Sequence, residues 1–153
     1  MIDISLDISH KVDPEHRNAI LQIKGMLDVL GVKFFIVGAS ARNFVLEYLH
    51  GIRAPRMTMD IDFAVRVESW ELYEKIQNSI LNAQGFSKTR QKQRFEYGET
   101  IIDIVPFGNV SDDQEFISWP PEHDIVMSVS GFEDAYNYST QLIISKDIIL
   151  RMS

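Results

Sequence analysis

The chain has 153 residues, 45% of them hydrophobic and 24% charged, with a net charge of −7 and no cysteine. That length suits a single domain with a real core, the lack of cysteine excludes disulfides and thiolate metal sites, and the acidic balance argues against broad, non-specific binding to nucleic acid while leaving room for a local basic patch. No apolar run is long enough to cross a bilayer, and the opening MIDISLDISHKVD lacks a basic segment followed by an apolar one, so neither a membrane span nor a secretory signal is expected and a reducing cytoplasm is the default location.

The first expected helix is DPEHRNAILQIKGMLDVLG, with Asp13 as its cap, Pro14 at the first helical position and Gly31 past its end. Ile20, Ile23, Leu27 and Leu30 recur there at helical spacing. VKFFIVG follows as a short continuous apolar run, which suits a strand covered on both faces. SARNFVLEYLHG predicts a second helix, capped by Ser40 and closed near Gly51. MDIDFAVRV alternates with period two and predicts a strand, and ESWELYEKIQNSILNAQG predicts a third helix ending at Gly85. RFEYGETIIDIVPFG predicts two strands around a turn at Gly98. Beyond Gly108 the signals weaken: DIVMSVSG and QLIIS predict short strands with a short helix in FEDAYNYS between them, and SKDIILRMS ends without a closing element. The order α-β-α-β-α-β-β predicts an α/β (α+β) sandwich, a mixed sheet with helices packed mainly on one side.

Two aspartates, Asp60 and Asp62, interrupt an apolar strand. Residues two apart in a strand share a face, so the two carboxylates point one way while Ile61, Phe63 and Val65 point into the core. Asp103 repeats the anomaly in TIIDIVPF, between Ile102 and Ile104. If the two strands are neighbours, three carboxylates converge and require a cation. Hard oxygen donors without cysteine suit Mg²⁺ or Mn²⁺, the ions that assist displacement at phosphorus. The alternative for D-x-D alone is a pair of aspartates on the exposed face of an edge strand. Upstream, FFIVGASARN runs from a strand through Gly38 into a helix near Ser40; small residues there admit a close ligand, and a helix N-terminus attracts phosphate. A tight, Ser40-capped turn is the alternative.

Taken together, these residues resemble the DNA polymerase β-like nucleotidyltransferase superfamily, whose pattern is a small-residue turn, then D-x-D on the next strand, then a single Asp on a later one. The likeness covers about residues 32–107, and GASARN, RMTMDIDFAV, IIDIVPFG and GFEDA look closest to the AbiEii-like branch, which includes toxins of toxin–antitoxin systems. The resemblance implies one nucleotidyltransferase domain over 1–153 with its core at about 32–107, lacking the C-terminal helical segment usual in relatives. It implies that Asp60, Asp62 and Asp103 bind Mg²⁺ or Mn²⁺, that Asp103 is the base toward the attacking hydroxyl, and that Gly38, Ala39, Ser40, Arg42, Arg56 and Thr58 hold the nucleotide. The expected activity is transfer of a nucleoside monophosphate from an NTP to an RNA, protein or small-molecule acceptor, with an antitoxin as a possible protein partner. A nucleotide-binding module acting through a partner is the competing function.

Among the remaining residues, Arg53 and Arg56 precede the D-x-D strand, where an Arg neutralises phosphate charge or simply sits in a solvated loop. In KTRQKQRFEY, an extended backbone puts Lys88, Arg90, Lys92 and Arg94 on one face, suited to an RNA acceptor or to protecting an edge strand. His10, His16, His50 and His123 lack ligand spacing and are expected at the surface. Trp70 and Trp119 are expected to pack rather than stack on bases.

Overall fold

The computed structural model describes residues 5–7, 14–37, 60–138, 140–145 and 148–152. The helix expected over 40–51 lies outside the described residues, as do residues 52–59. In chain order the elements are β1 (Ser5–Asp7), α1 (Pro14–Val29), β2 (Lys33–Ile36), β3 (Asp60–Val67), α2 (Trp70–Asn82), β4 (Phe86–Lys88), β5 (Arg94–Tyr97), β6 (Thr100–Gly108), β7 (Phe116–Ser118), β8 (Val126–Ser128), α3 (Phe132–Asn137), β9 (Thr140–Ser145) and β10 (Ile148–Met152). Eight strands form one mixed sheet in the order β1-β9-β10-β2-β3-β6-β5-β4, and β7 pairs with β8 in a separate ribbon. β3 and β6 run parallel at its centre, with β2 antiparallel to β3 and β5 antiparallel to β6.

The helices form where the apolar spacing demands. On α1, Ala19, Ile20, Ile23 and Leu27 are fully buried, the stripe that helical spacing puts on one side. His16 continues that stripe four residues before Ile20 and is only 5% exposed. Its position on the inner face, not its polarity, decides its burial, which corrects the surface expectation; His123 is exposed as expected. On α2, Tyr73, Ile76 and Ile80 face inward, and the Ser69 side chain caps the helix by accepting from the Leu72 amide at 3.2 Å.

Strand parity and register assign the two faces of the sheet. One face carries Phe34, Ile36, Ile61, Phe63, Val65, Phe95, Ile102 and Ile104, which alternation and pairing align. Phe34 packs on Phe63 at 5.8 Å between ring centres. The other face carries Phe35, Asp62, Ala64, Asp103, Val105 and Phe107. α3 covers part of this second face: Phe132 lies 5.9 Å from Phe35 and 5.8 Å from Phe107. Phe35 and Ile36, on opposite faces of β2, are both buried, as its continuous apolar run implies.

The C-terminal segment departs from expectation. Ile148–Met152 is a strand, β10, antiparallel to β9 and joined by one parallel bridge to β2. Its partners are distant in the chain, so pairing rather than local pattern decides its role. β1, β4 and β7 are three residues each, too short to carry a readable period.

Candidate functional site

β3 and β6 are eight and nine residues of largely apolar strand into which the sequence inserts carboxylates, and their register determines what meets. Asp62 is paired with Asp103, and Asp60 with Ile101. Paired residues on adjacent strands share a face about 5 Å apart, so Asp62 and Asp103 stand side by side. Both are half-buried, while Ile61, Ile102 and Ile104 on the opposite face are buried. The Asp60 backbone belongs to β3, two residues before Asp62, and its side chain lies outside the described residues.

The third strand, β5, adds Arg94 to this face rather than to a basic face shared with Lys88. Arg94 is registered against Asp103 across β5–β6. Its Nε donates to Asp103 Oδ1 at 2.8 Å and its Nη2 to Oδ2 at 3.0 Å. This two-point fork is the strongest geometry available to an arginine and a carboxylate. Arg94 therefore supplies compensating charge to Asp103 directly. One transverse row of the sheet reads Asp62, Asp103, Arg94. The signal was present in the sequence: a two-residue turn at Gly98–Glu99 pairs Tyr97 with Thr100 and, counting outward, Arg94 with Asp103.

That pairing overturns the single basic face. β4 ends at Lys88, β5 starts at Arg94, and the segment between them turns. Lys88 is paired with Phe95, so it shares the face of Ile102, whereas Arg94 shares the face of Asp103. The Lys88 ammonium donates to the Thr89, Gln91 and Arg94 carbonyls and lies 5.0 Å from the Phe95 ring centre. Partial desolvation and the neighbouring Lys92 charge lower its pKa, and Asp103 offsets part of this. Lys92 sits 3.7 Å from Glu122, and Arg90 is exposed. An extended backbone is what the one-face arrangement needed, and the turn removes it.

Gly38, Ala39, Ser40, Arg42, Arg53, Arg56 and Thr58 lie outside the described residues. The last described residue before them is Val37, whose amide donates to the Asp62 carbonyl at 2.8 Å. Gly38 is thus the next residue in the chain after one bonded to the backbone of Asp62.

Hard carboxylate oxygens on adjacent strands suit a divalent cation. Asp62 and Asp103 fit such an ion in type and placement, with Asp60 on the same strand parity. Among the described residues no group of three or more His, Cys, Asp or Glu is placed to hold a metal ion.

Trp70 and Trp119 pack as expected, 5.6 Å apart and against Tyr73. With Pro120, Pro121, Lys88 and Lys92 they line a cleft of about 560 Å³ that contains neither Asp62 nor Asp103. The buried Trp119 indole N–H lacks an acceptor of normal hydrogen-bond geometry, although it approaches the Tyr73 oxygen closely enough to favour the ionised phenol slightly. Among the described residues, no helix is long and apolar enough to cross a membrane.

No family model matches the chain, and no curated protein matches it. Several solved structures are similar. A CCA-adding enzyme in complex with CTP shares 23% identity over 64% of this chain and 22% of its own, with a TM-score of 0.42. The antibiotic-resistance factor ANT(2'')-Ia shares 16% identity over 75% of this chain and 62% of its own, with a TM-score of 0.42. The lincosamide antibiotic adenylyltransferase LnuA, lincomycin-bound, shares 13% identity over 93% of this chain and 80% of its own, with a TM-score of 0.45. The chain thus spans about a fifth of the CCA-adding enzyme and under two thirds of the resistance factor.

Proposed function

We propose that the chain is a Mg²⁺-dependent nucleotidyltransferase, moving a nucleoside monophosphate from an NTP to an acceptor hydroxyl with release of pyrophosphate. The observation that carries this reading is the side-by-side register of Asp62 and Asp103 on parallel β3 and β6. Asp60, Asp62 and Asp103 would hold the ion, and the bound ion supplies positive charge to the triphosphate and the displaced pyrophosphate. Gly38, Ala39 and Ser40 hold the triphosphate with Arg42, Arg56 and Thr58. Asp103 takes the proton of the attacking hydroxyl as the new oxygen–phosphorus bond forms and the bond to pyrophosphate breaks.

The acceptor classes are an RNA, a protein side chain or a small molecule. For RNA, the exposed Arg90 remains on the β4–β5 turn, while Lys88 donates to three carbonyls and Arg94 is engaged by Asp103. A toxin role in the cytoplasm, silenced by an antitoxin, follows from the AbiEii-like resemblance. The second reading, a nucleotide-binding module acting through a partner, is favoured by one observation: Arg94 engages both oxygens of Asp103.

The test is transfer of α-labelled NTPs, with Mg²⁺, to total RNA, to protein and to small hydroxyl compounds. Transfer by wild type is expected, with Asp103→Asn at least about a hundred-fold slower in single turnover, the low end of what a general base contributes. Nucleotide binding without transfer supports the module instead. Undiminished transfer by Asp103→Asn removes Asp103 from the mechanism.

A further inference from the structure

Resting on that reading, we infer that Arg94 is the resident counter-cation of the carboxylate site, and that a divalent ion engages Asp103 in competition with the Arg94 guanidinium. Asp62 and Asp103 are adjacent by register, and two ionised carboxylates at that spacing repel each other unless a cation lies between or beside them. In the metal-free protein Arg94 is that cation for Asp103. It lies on the neighbouring strand, with one fork bond to each carboxylate oxygen, at 2.8 and 3.0 Å.

The pair is also sheltered. The Asp103 side chain is 14% exposed and that of Arg94 29%, so water screens their attraction less than at an open surface. A divalent ion approaching Asp103 meets a carboxylate whose two oxygens are already engaged and a fixed positive charge beside them. Binding therefore has to loosen the fork or bear the repulsion, and either route makes Arg94 an opponent of the metal. Arg94 is a positioning residue in this scheme. It holds Asp103 in place through the two fork bonds until the ion arrives, and it sets the cation concentration at which the site fills. The two-residue Gly98–Glu99 turn holds Arg94 opposite Asp103.

Mn²⁺ alone is the probe, with free ion followed by its electron paramagnetic resonance signal in wild type, Arg94→Gln, Arg94→Lys and Asp62→Asn. Arg94→Gln is expected to bind Mn²⁺ about ten-fold more tightly than wild type. Arg94→Lys, which keeps the charge but not the fork, is expected to fall between them. Melting supplies a readout independent of activity. Arg94→Gln should melt lower than wild type in EDTA, and saturating Mn²⁺ should close that gap, because the metal-bound state no longer uses the fork. Unchanged or weaker Mn²⁺ binding by Arg94→Gln, while wild type binds and Asp62→Asn does not, overturns the inference and leaves the metal site standing. Binding that is absent from wild type and Arg94→Gln alike overturns both. If Arg94→Gln does not fold, Arg94→Lys decides: affinity at or below that of wild type overturns the inference.

Discussion

At consecutive positions of β6, Asp103 is held by Arg94 and the Ile104 carbonyl by the Tyr73 hydroxyl, at 2.6 Å. The second bond anchors the strand directly beside the candidate carboxylate. Tyr73 is buried, and burial pushes its phenol well above the ordinary value; contacts to Gln77 and Trp119 oppose this, and the charge of Asp103 adds to the rise. The consequence for stability has a definite sign. The unfolded chain releases this proton near pH 10 while the folded chain retains it, so the stabilisation is complete below pH 10 and is lost progressively as pH climbs above it. Tyr73→Phe should cost about 1–2 kcal/mol at neutral pH, by leaving the Ile104 carbonyl without its donor. It should also flatten the decline above pH 10. Urea denaturation of both proteins from pH 8 to 11 checks this, and parallel declines would show that the phenol does not carry the effect.

Between β5 and β6 the whole assignment of faces depends on one short turn. A slip of one residue would turn Asp103 onto the face of Ile102 and bring Arg94 opposite a different neighbour. Two contacts pin the register. Glu15, in the first turn of α1, accepts from the Glu99 amide at 3.2 Å and from the Thr100 hydroxyl at 2.7 Å. Gly98 has φ +59°, and a Cβ there would lie 2.5 Å from Glu15 Oε2. Gly98→Ala combines a backbone conformation unfavourable to L-residues with displacement of Glu15, so a loss of more than about 1 kcal/mol is expected. Amide exchange should quicken at Glu99 and Thr100 in that variant. Unaltered protection would mean that Glu15 does not fix the turn.

For the molecule as a whole, among the described residues, α3 packs on part of the second face of the sheet. Phe132 takes the Phe35–Phe107 portion of that second face, next to the row of Asp62, Asp103 and Arg94. A ligand that binds only the folded chain there stabilises all of it. Mn²⁺ with an NTP at a hundred times its dissociation constant would add about 2.7 kcal/mol, a rise in melting temperature of roughly 5–10 °C for a domain of this size. Asp62→Asn should lose the metal-dependent part. Equal shifts in both proteins would count against a site at Asp62.

Local pattern was enough for α1, α2, β2, β3, β5 and β6, because apolar spacing and Gly or Ser punctuation act within a few residues of chain. It also sufficed to mark Asp60, Asp62 and Asp103, since a carboxylate inside an apolar run is anomalous wherever the run ends up. It was not enough for the burial of His16, whose inner-face position outweighs its polarity. Nor did it reveal β10, which exists through pairing with β9 and β2. Lys88 and Arg94 make the contrast sharpest. Their spacing predicts a common face only if the backbone stays extended, and the turn between β4 and β5 sends one to Phe95 and the other to Asp103. The sequence by itself determined which side chains are costly to bury. Only the tertiary structure decided that an arginine nine residues from Asp103 meets that cost, because strand register is a property of paired backbones and not of either strand alone.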